Sequence, residues 1–392
     1  MFIMKRFKQT LSLALAGVMM TAAPTAAFAA SPEFARSAEE WAKLQDNKIE
    51  YDEIADLVHE YNATVQKNAI DLGKFRKDYG DTNEKWADRY RELADDLEAS
   101  LSYPDVDDAS YASIMTQIVT SEMQIDSWRK SADEAVDDYM TYYYNYASAE
   151  AMLTSNAQQQ MIAYYVNQLQ LELDQKNQEL LNETIQSVQT QKSLGMATDV
   201  DVLTAEENLR NANKAILDDQ NTIENNQEKL FVTLGWKHDG RPEVGTLPDP
   251  DVSRIAAMNP EADKAQAVEN SYTMKINKRK LENAKSEDTK ETLEKTIRED
   301  TQKIGAAVTS SYQNVLAAKA TMDLRQAQSE LQEKTMQTTE RQYQLGMLGR
   351  LDYLNKKYAY DSAVIQAQTA KYNLLQAIQS YDWVLNGLAN AS

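Results

Sequence analysis

Cysteine is absent from the 392 residues, and glycine (11) and proline (7) are scarce. Without cysteine there is no disulfide scaffold, no thiolate metal site and no cysteine nucleophile. So few glycines and prolines exclude an all-β chain of tight turns, a collagen-like repeat and a Pro/Gly-rich disordered chain. Histidine is limited to His59 and His238, in unlike surroundings, which leaves little basis for a Ser-His-Asp device. Basic residues are outnumbered 41 to 61, for a net charge of −20. Phosphate binding needs clustered Lys and Arg, so this balance argues against a nucleic-acid partner. No cofactor or metal site is implied, and no enzymatic constellation is visible. The acidic runs at 105–108 and 133–138 lack the Gly and terminal Glu of a calcium-binding loop.

What is present begins with an export signal. Lys5, Arg6 and Lys8 precede an apolar stretch from Leu11 to Ala23, and Ala27-Phe28-Ala29 supplies small residues for cleavage. Residues 1–29 therefore read as a secretory signal peptide, with an uncleaved N-terminal anchor as the alternative. No later stretch approaches the about 18 apolar residues of a membrane-spanning helix. The mature chain is expected in the cell envelope or outside the cell.

The remaining residues are mostly strong or neutral helix formers. Apolar positions recur every seven residues: Val202, Leu209, Ile216, Ile223 and Leu230; then Val308, Val315, Met322, Met336 and Tyr343, with Ser329 the one polar member; then Tyr353, Tyr360, Ala367, Leu374 and Tyr381. A sustained seven-residue seam predicts long helices that supercoil on neighbours, within the chain or between chains. The run from Leu153 to Leu194 alone predicts a helix of roughly 60 Å. Breakers cluster in 237–260, which holds Gly240, Pro242, Gly245, Pro248, Pro250 and Pro260.

An internal repeat accompanies the heptads. Leu194-Gly195-Met196 returns as Leu345-Gly346-Met347, Asp201 as Asp352 and Leu203 as Leu354. Each copy closes on a Leu-Gly phrase or near it, Leu234-Gly235 and Leu385-Asn386-Gly387. Each half thus reads as a long helix, a glycine turn and a second antiparallel helix. In the first turn Gly195 ends one helix, and Thr198 or Asp199 caps the next with Asp201 near its positive end. The second turn uses Gly346 and Gly349 and places Asp352 in the matching position. The expected architecture is all-α, with long antiparallel coiled-coil hairpins in two repeats and little or no β. The expected boundaries are a signal peptide (1–29), a first repeat (30–236), a linker (237–260) and a second repeat (261–392). The first repeat carries extra helical material at about 80–140.

These phrases resemble the outer-membrane efflux protein family, the TolC family. Thr204 to Leu209 continues the match, as do Asn259 to Asn270 and Tyr51 to Asn62, which are similar to the short helices that open each family half. The resemblance implies a homotrimeric helical tube that works with a periplasmic adaptor and an inner-membrane transporter in efflux or secretion. It makes Gly195, Met196, Thr198, Asp199, Asp201, Gly346, Met347, Gly349, Arg350 and Asp352 the adaptor-facing tips. It also places Asp352 and Asn355 where some members narrow the channel mouth. A helix-capping role for Asp352 stands beside that one.

The family's barrel strands are not evident. Ala284 to Thr296, where the second pair belongs, reads as a solvated helical face. Tyr139 to Tyr146 reads as a Tyr-rich helix surface, with a lone strand as the alternative. The resemblance therefore implies a helical tube or bundle without its barrel. The alternative is a non-channel coiled-coil structural protein of the envelope.

Overall fold

The computed structural model describes residues 36–389, apart from residues 108, 238 and 239. The expected export signal and His238 lie outside the described residues. The chain divides at Asp46/Asn47 into two units. The first holds the short helix α1 (Ala38–Leu44), closed at its start by a reciprocal Ser37–Glu40 capping box.

The second unit contains, in order, β1 (Lys48–Ile49), α2 (Ile54–Tyr61), α3 (Ala63–Tyr79), α4 (Asn83–Ser100), α5 (Tyr111–Asp133), α6 (Tyr139–Ser193) and α7 (Asp199–Thr233). There follow β2 (Glu243–Val244), α8 (Val252–Ile255), α9 (Pro260–Asn270), α10 (Tyr272–Asn283), α11 (Glu287–Gln344) and α12 (Arg350–Trp383). The two strands pair in parallel, and they are the only sheet among the described residues.

The heptads become two antiparallel hairpins, α6–α7 and α11–α12. Leu230, Val308, Val315, Leu374 and Tyr381 are fully buried along their seams. Helix α6 also packs along α12, so the long helices form a row in the order α7, α6, α12, α11. Helices α7 and α11, at its two edges, do not pack along one another.

Short helices extend the row beyond the ends of α7 and α12, and the two halves do this alike. Asn62 ends α2 and caps α3 through Thr64 N (2.9 Å) and Val65 N (3.1 Å). Its amide donates to Thr233 O, at the end of α7 (2.8 Å). In the second half Asn270 ends α9 and donates to Leu385 O, just past α12 (2.9 Å). A π-type turn at Val384–Leu388 absorbs the extra residue of Leu385-Asn386-Gly387. Trp383 closes α12 and donates to Gln158 (2.9 Å), whereas Trp236 lies beyond the end of α7.

Three expectations are refined. The first long helix begins at Tyr139 rather than Leu153 and has 55 residues. Tyr139 to Tyr146 is its first two turns, so the strand alternative fails there. Asp138 caps this start with Thr141, and Tyr142 packs on Phe75 of α3 at 4.3 Å between ring centroids. The stretch from Ala284 to Thr296 is helical only from Glu287, after a break that Ser286 caps.

That break matches, in the first half, the whole of α4 and α5. These two helices form a hairpin arm between α3 and α6, with Ala87, Ala94, Ile118, Ile125 and Ala132 buried. Its root is tied by Asn83, which donates to Ala135 O at 2.8 Å. Beside it Asp138, with no exposed side-chain surface, accepts from Arg279 Nε (2.6 Å) and Asn283 (3.1 Å) of α10.

Gly235 and Gly195 both have positive φ (85° and 72°), yet their surroundings differ. A Cβ at Gly195 meets no atom within 4 Å, whereas one at Gly235 falls 2.4 Å from Tyr61 O. Gly195→Ala is expected to cost about 1 kcal/mol, from backbone strain alone. Gly235→Ala is expected to cost about 3 kcal/mol or more, because the Tyr61 backbone must also move. Denaturant unfolding of the two variants checks the order.

Candidate functional site: the hairpin tips

The two tips are built by the same backbone device. At the first, Gly195 N donates to Lys192 O (2.9 Å) and Met196 N to Gln191 O (2.8 Å). At the second, Gly346 N donates to Tyr343 O (3.0 Å) and Met347 N to Gln342 O (2.8 Å). Both are Schellman caps, which need a left-handed residue at the penultimate position, and glycine supplies it without steric cost. Leu234-Gly235-Trp236 repeats the pattern at the end of α7.

The entries to the returning helices differ. Thr198 caps α7, accepting from Asp201 N, while the Asp201 carboxylate takes Thr198 N (2.7 Å). That backbone bond holds the Asp201 carboxyl below its ordinary range. Asp199 is the first helical residue and pairs with Lys192 across the turn. Gly349 caps α12 and offers no side chain, so the exposed Asp352 has no capping hydroxyl to bond. Asn355, one turn on, donates to Leu351 O of its own helix (2.9 Å).

A partner missed from the sequence is Glu183. It takes both Arg350 Nη2 (2.6 Å) and Nε (3.0 Å), tying the start of α12 to α6. The guanidinium holds the Glu183 carboxyl below its usual range, and the pair raises Arg350 in return. The Tyr343 and Tyr353 rings stack at 4.3 Å, closing the second tip across its own turn.

Beside these paired charges and the exposed Asp352, the tips carry exposed apolar side chains. Leu194, Met196, Val200 and Leu203 are exposed at the first tip, and Leu345 and Met347 at the second. Met196 and Met347 reach 75% and 72% exposure, among the highest of the large apolar residues. Clustered exposed apolar side chains mark a contact surface, and methionine adapts its shape to a partner. Among the described residues no group of three or more His, Asp or Glu could hold a metal ion. None of their helices is long and apolar enough to cross a membrane.

Neither a family model nor a curated protein sequence matches the chain. Solved structures do. A membrane protein from Pseudomonas aeruginosa is 11% identical, covering 86% of this chain and 90% of its own, with a TM-score of 0.53. The Campylobacter jejuni CmeC outer membrane channel is 11% identical over 92% of this chain and 90% of its own, TM-score 0.47. The outer membrane protein VceC from Vibrio cholerae is 11% identical over 90% and 99%, TM-score 0.46. With the first of these the chain shares its fold, all-α here and built of paired hairpins.

One titratable pair interrupts the first hairpin. Asp219 continues the seven-residue row of the buried Ala205 and Ala212 on α7. One of its oxygens is shut from solvent without a donor. Burial, then hydrogen bonding with the Asp174 carboxyl on α6, then the Asp174 and Asp218 charges, raise Asp219 to about 6. Lys214, the cation one turn away, bonds Asp218 instead, and Gln170 donates to Asp174. Tyr358 of α12 lies near enough for the Asp174 charge to raise its hydroxyl, after burial.

Folding raises this pKa, so the folded state holds the proton more tightly than the unfolded chain. That stabilisation is complete below the ordinary Asp range and is lost as pH rises through about 6. Asp219→Asn should therefore be the more stable protein at pH 7–8, by on the order of 1 kcal/mol after solvent screening. The advantage should vanish near pH 4, which thermal midpoints across pH would register.

Proposed function

We propose that the chain is a TolC-like, exported component of an efflux or secretion system. Copies associate edge to edge into a helical conduit or docking element, and the hairpin tips meet an adaptor. The observation that carries this is the open row of long helices with two matched apolar tips at one end. Both edges of the row bear exposed leucines, Leu203 and Leu217 on α7, and Leu324 and Leu331 on α11. Leucines at seven-residue multiples on a helix face without a neighbour favour another long helix there. An α7 edge meeting the α11 edge of the next copy repeats the same contact and closes into a ring. The family resemblance sets the number at three and supplies the further partner, an inner-membrane transporter.

In this assignment the linker at 237–260 separates two repeats, 30–236 and 261–392. Residues 1–29 direct export to the cell envelope. Gly195, Met196, Thr198, Asp199 and Asp201 form one adaptor-facing tip. Gly346, Met347, Gly349, Arg350 and Asp352 form the other. Asp201 and Thr198 shape the turn, and Met196 and Met347 make the contact. Asp352 projects a free carboxylate, and a ring of three copies would favour cations at the mouth, with Asn355 behind it. The role is non-catalytic.

The test is the mass of the mature protein by light scattering after size exclusion without detergent. A trimer is expected. In the trimer, Leu217→Cys with Leu324→Cys should cross-link between copies, since both lie about 20 residues, or roughly 30 Å, from their tips. A monomer at every concentration, with no cross-link, would overturn the conduit. It would favour the non-channel coiled-coil protein of the envelope.

A further inference from the structure

The α4–α5 arm has a surface that the conduit does not use. Helix α5 is apolar on two faces but has one partner. Its first face, Ile118, Ile125 and Ala132, is buried in the seam with α4. Its second face carries Ala112, Met115, Val119 and Met123, at three- and four-residue intervals on another side of the helix. Val119 and Met123 are exposed there, Met123 to 70%. A helix buried on one side is normally polar on the other, so a second apolar stripe points to a second neighbour. Among the described helices none but α4 packs along α5 to any extent.

The charge pattern says what kind of neighbour fits. From Tyr111 to Ser121 no residue is charged, in a chain whose net charge is −20. The charged residues of the arm are largely engaged with each other. Arg91 bonds Asp88 and Asp133, and Arg129 bonds Asp95 and Glu98. The loop at the far end adds Asp105 and Asp107 rather than Lys or Arg. An anionic membrane surface is repelled by such a border, because lipid-facing helices flank their apolar face with basic residues. A cationic partner would be drawn to the acidic outer side of α4, not to this stripe. The stripe suits a neutral, apolar helix face, and α5 of another copy is one. Copies of so acidic a chain repel one another, and an uncharged strip is where they can approach.

We propose that the outer stripe of α5 docks on the α5 of a second copy, so that the arms join neighbouring chains at the end of the bundle away from the tips. This rests on the association of copies in the conduit but not on the role of the tips. Tyr103, whose hydroxyl bonds Glu122 (2.8 Å) beside Met123, extends the apolar border.

The natural absence of cysteine makes the test clean. Met123→Cys is oxidised in the full-length mature protein and compared with Gln117→Cys, an exposed site on the far side of the same helix. The stripe variant should give roughly tenfold more disulfide-linked dimer, because docking holds the two sulfurs within bonding reach. Adding Val119→Glu to Met123→Cys should abolish that excess while circular dichroism stays unchanged. Equal dimer from Met123→Cys and Gln117→Cys would overturn the proposal, as would an excess that survives Val119→Glu. The edge pair, Leu217→Cys with Leu324→Cys, is run alongside. If it cross-links and Met123→Cys does not, only the arm proposal fails. If neither does, the conduit fails with it.

Discussion

Two packing contacts along one helix hold the long hairpins together. Helix α6 takes α7 along one side and α12 along another, and near its start it also meets α2, α3 and α10. A 55-residue helix has far more surface than one neighbour can cover. The heptad register gives it narrow seams rather than one broad apolar face, so each neighbour buries a stripe and leaves the next free. A chain built this way forms a row, not a closed bundle. The edges of the row, α7 and α11, are where this design leaves apolar side chains exposed.

The joints of the row are polar and satisfied. Asn62 and Asn270 each end a short helix and donate to a carbonyl where a long returning helix stops. Both thereby supply a donor to the carbonyls that every helix end leaves unpaired. Asp138 makes a joint of the opposite polarity at the start of α6. It caps α6 and accepts from Arg279 and Asn283, binding the arm's root to α10. A buried carboxylate without those donors would be costly, so the three groups are set against one another in a single geometry.

Between joints, the seams carry deliberate irregularity. Asp219 faces Asp174 where an alanine row would otherwise continue, and a groove lined by Met322, Ser329, Val364 and Ala367 opens where Ser329 interrupts the α11 heptads. The tips, by contrast, are tightened by paired charges and stacked rings, which leaves their methionines as the adaptable part.

The amino-acid sequence by itself determined the helical class, the two hairpins and the turns that join them. Local rules suffice for these: a seven-residue apolar period marks a packed helix, and a Leu-Gly phrase provides the left-handed residue that a Schellman cap demands. Gly195, Gly346 and Gly235 are legible for that reason, and so is the lack of barrel strands at 284–296. Asp138 and Glu183 are not. Their partners Arg279 and Arg350 lie 141 and 167 residues away, and nothing near either acid in sequence points to them. The start of α6 at Tyr139 was hidden similarly, because its tyrosines suit a strand as well as a helix until Phe75 packs against them. Only the tertiary structure decided that α6 and α12 meet while α7 and α11 stay apart. Heptads specify that helices need neighbours, but which neighbour is chosen depends on where the long-range polar joints bring the chain together.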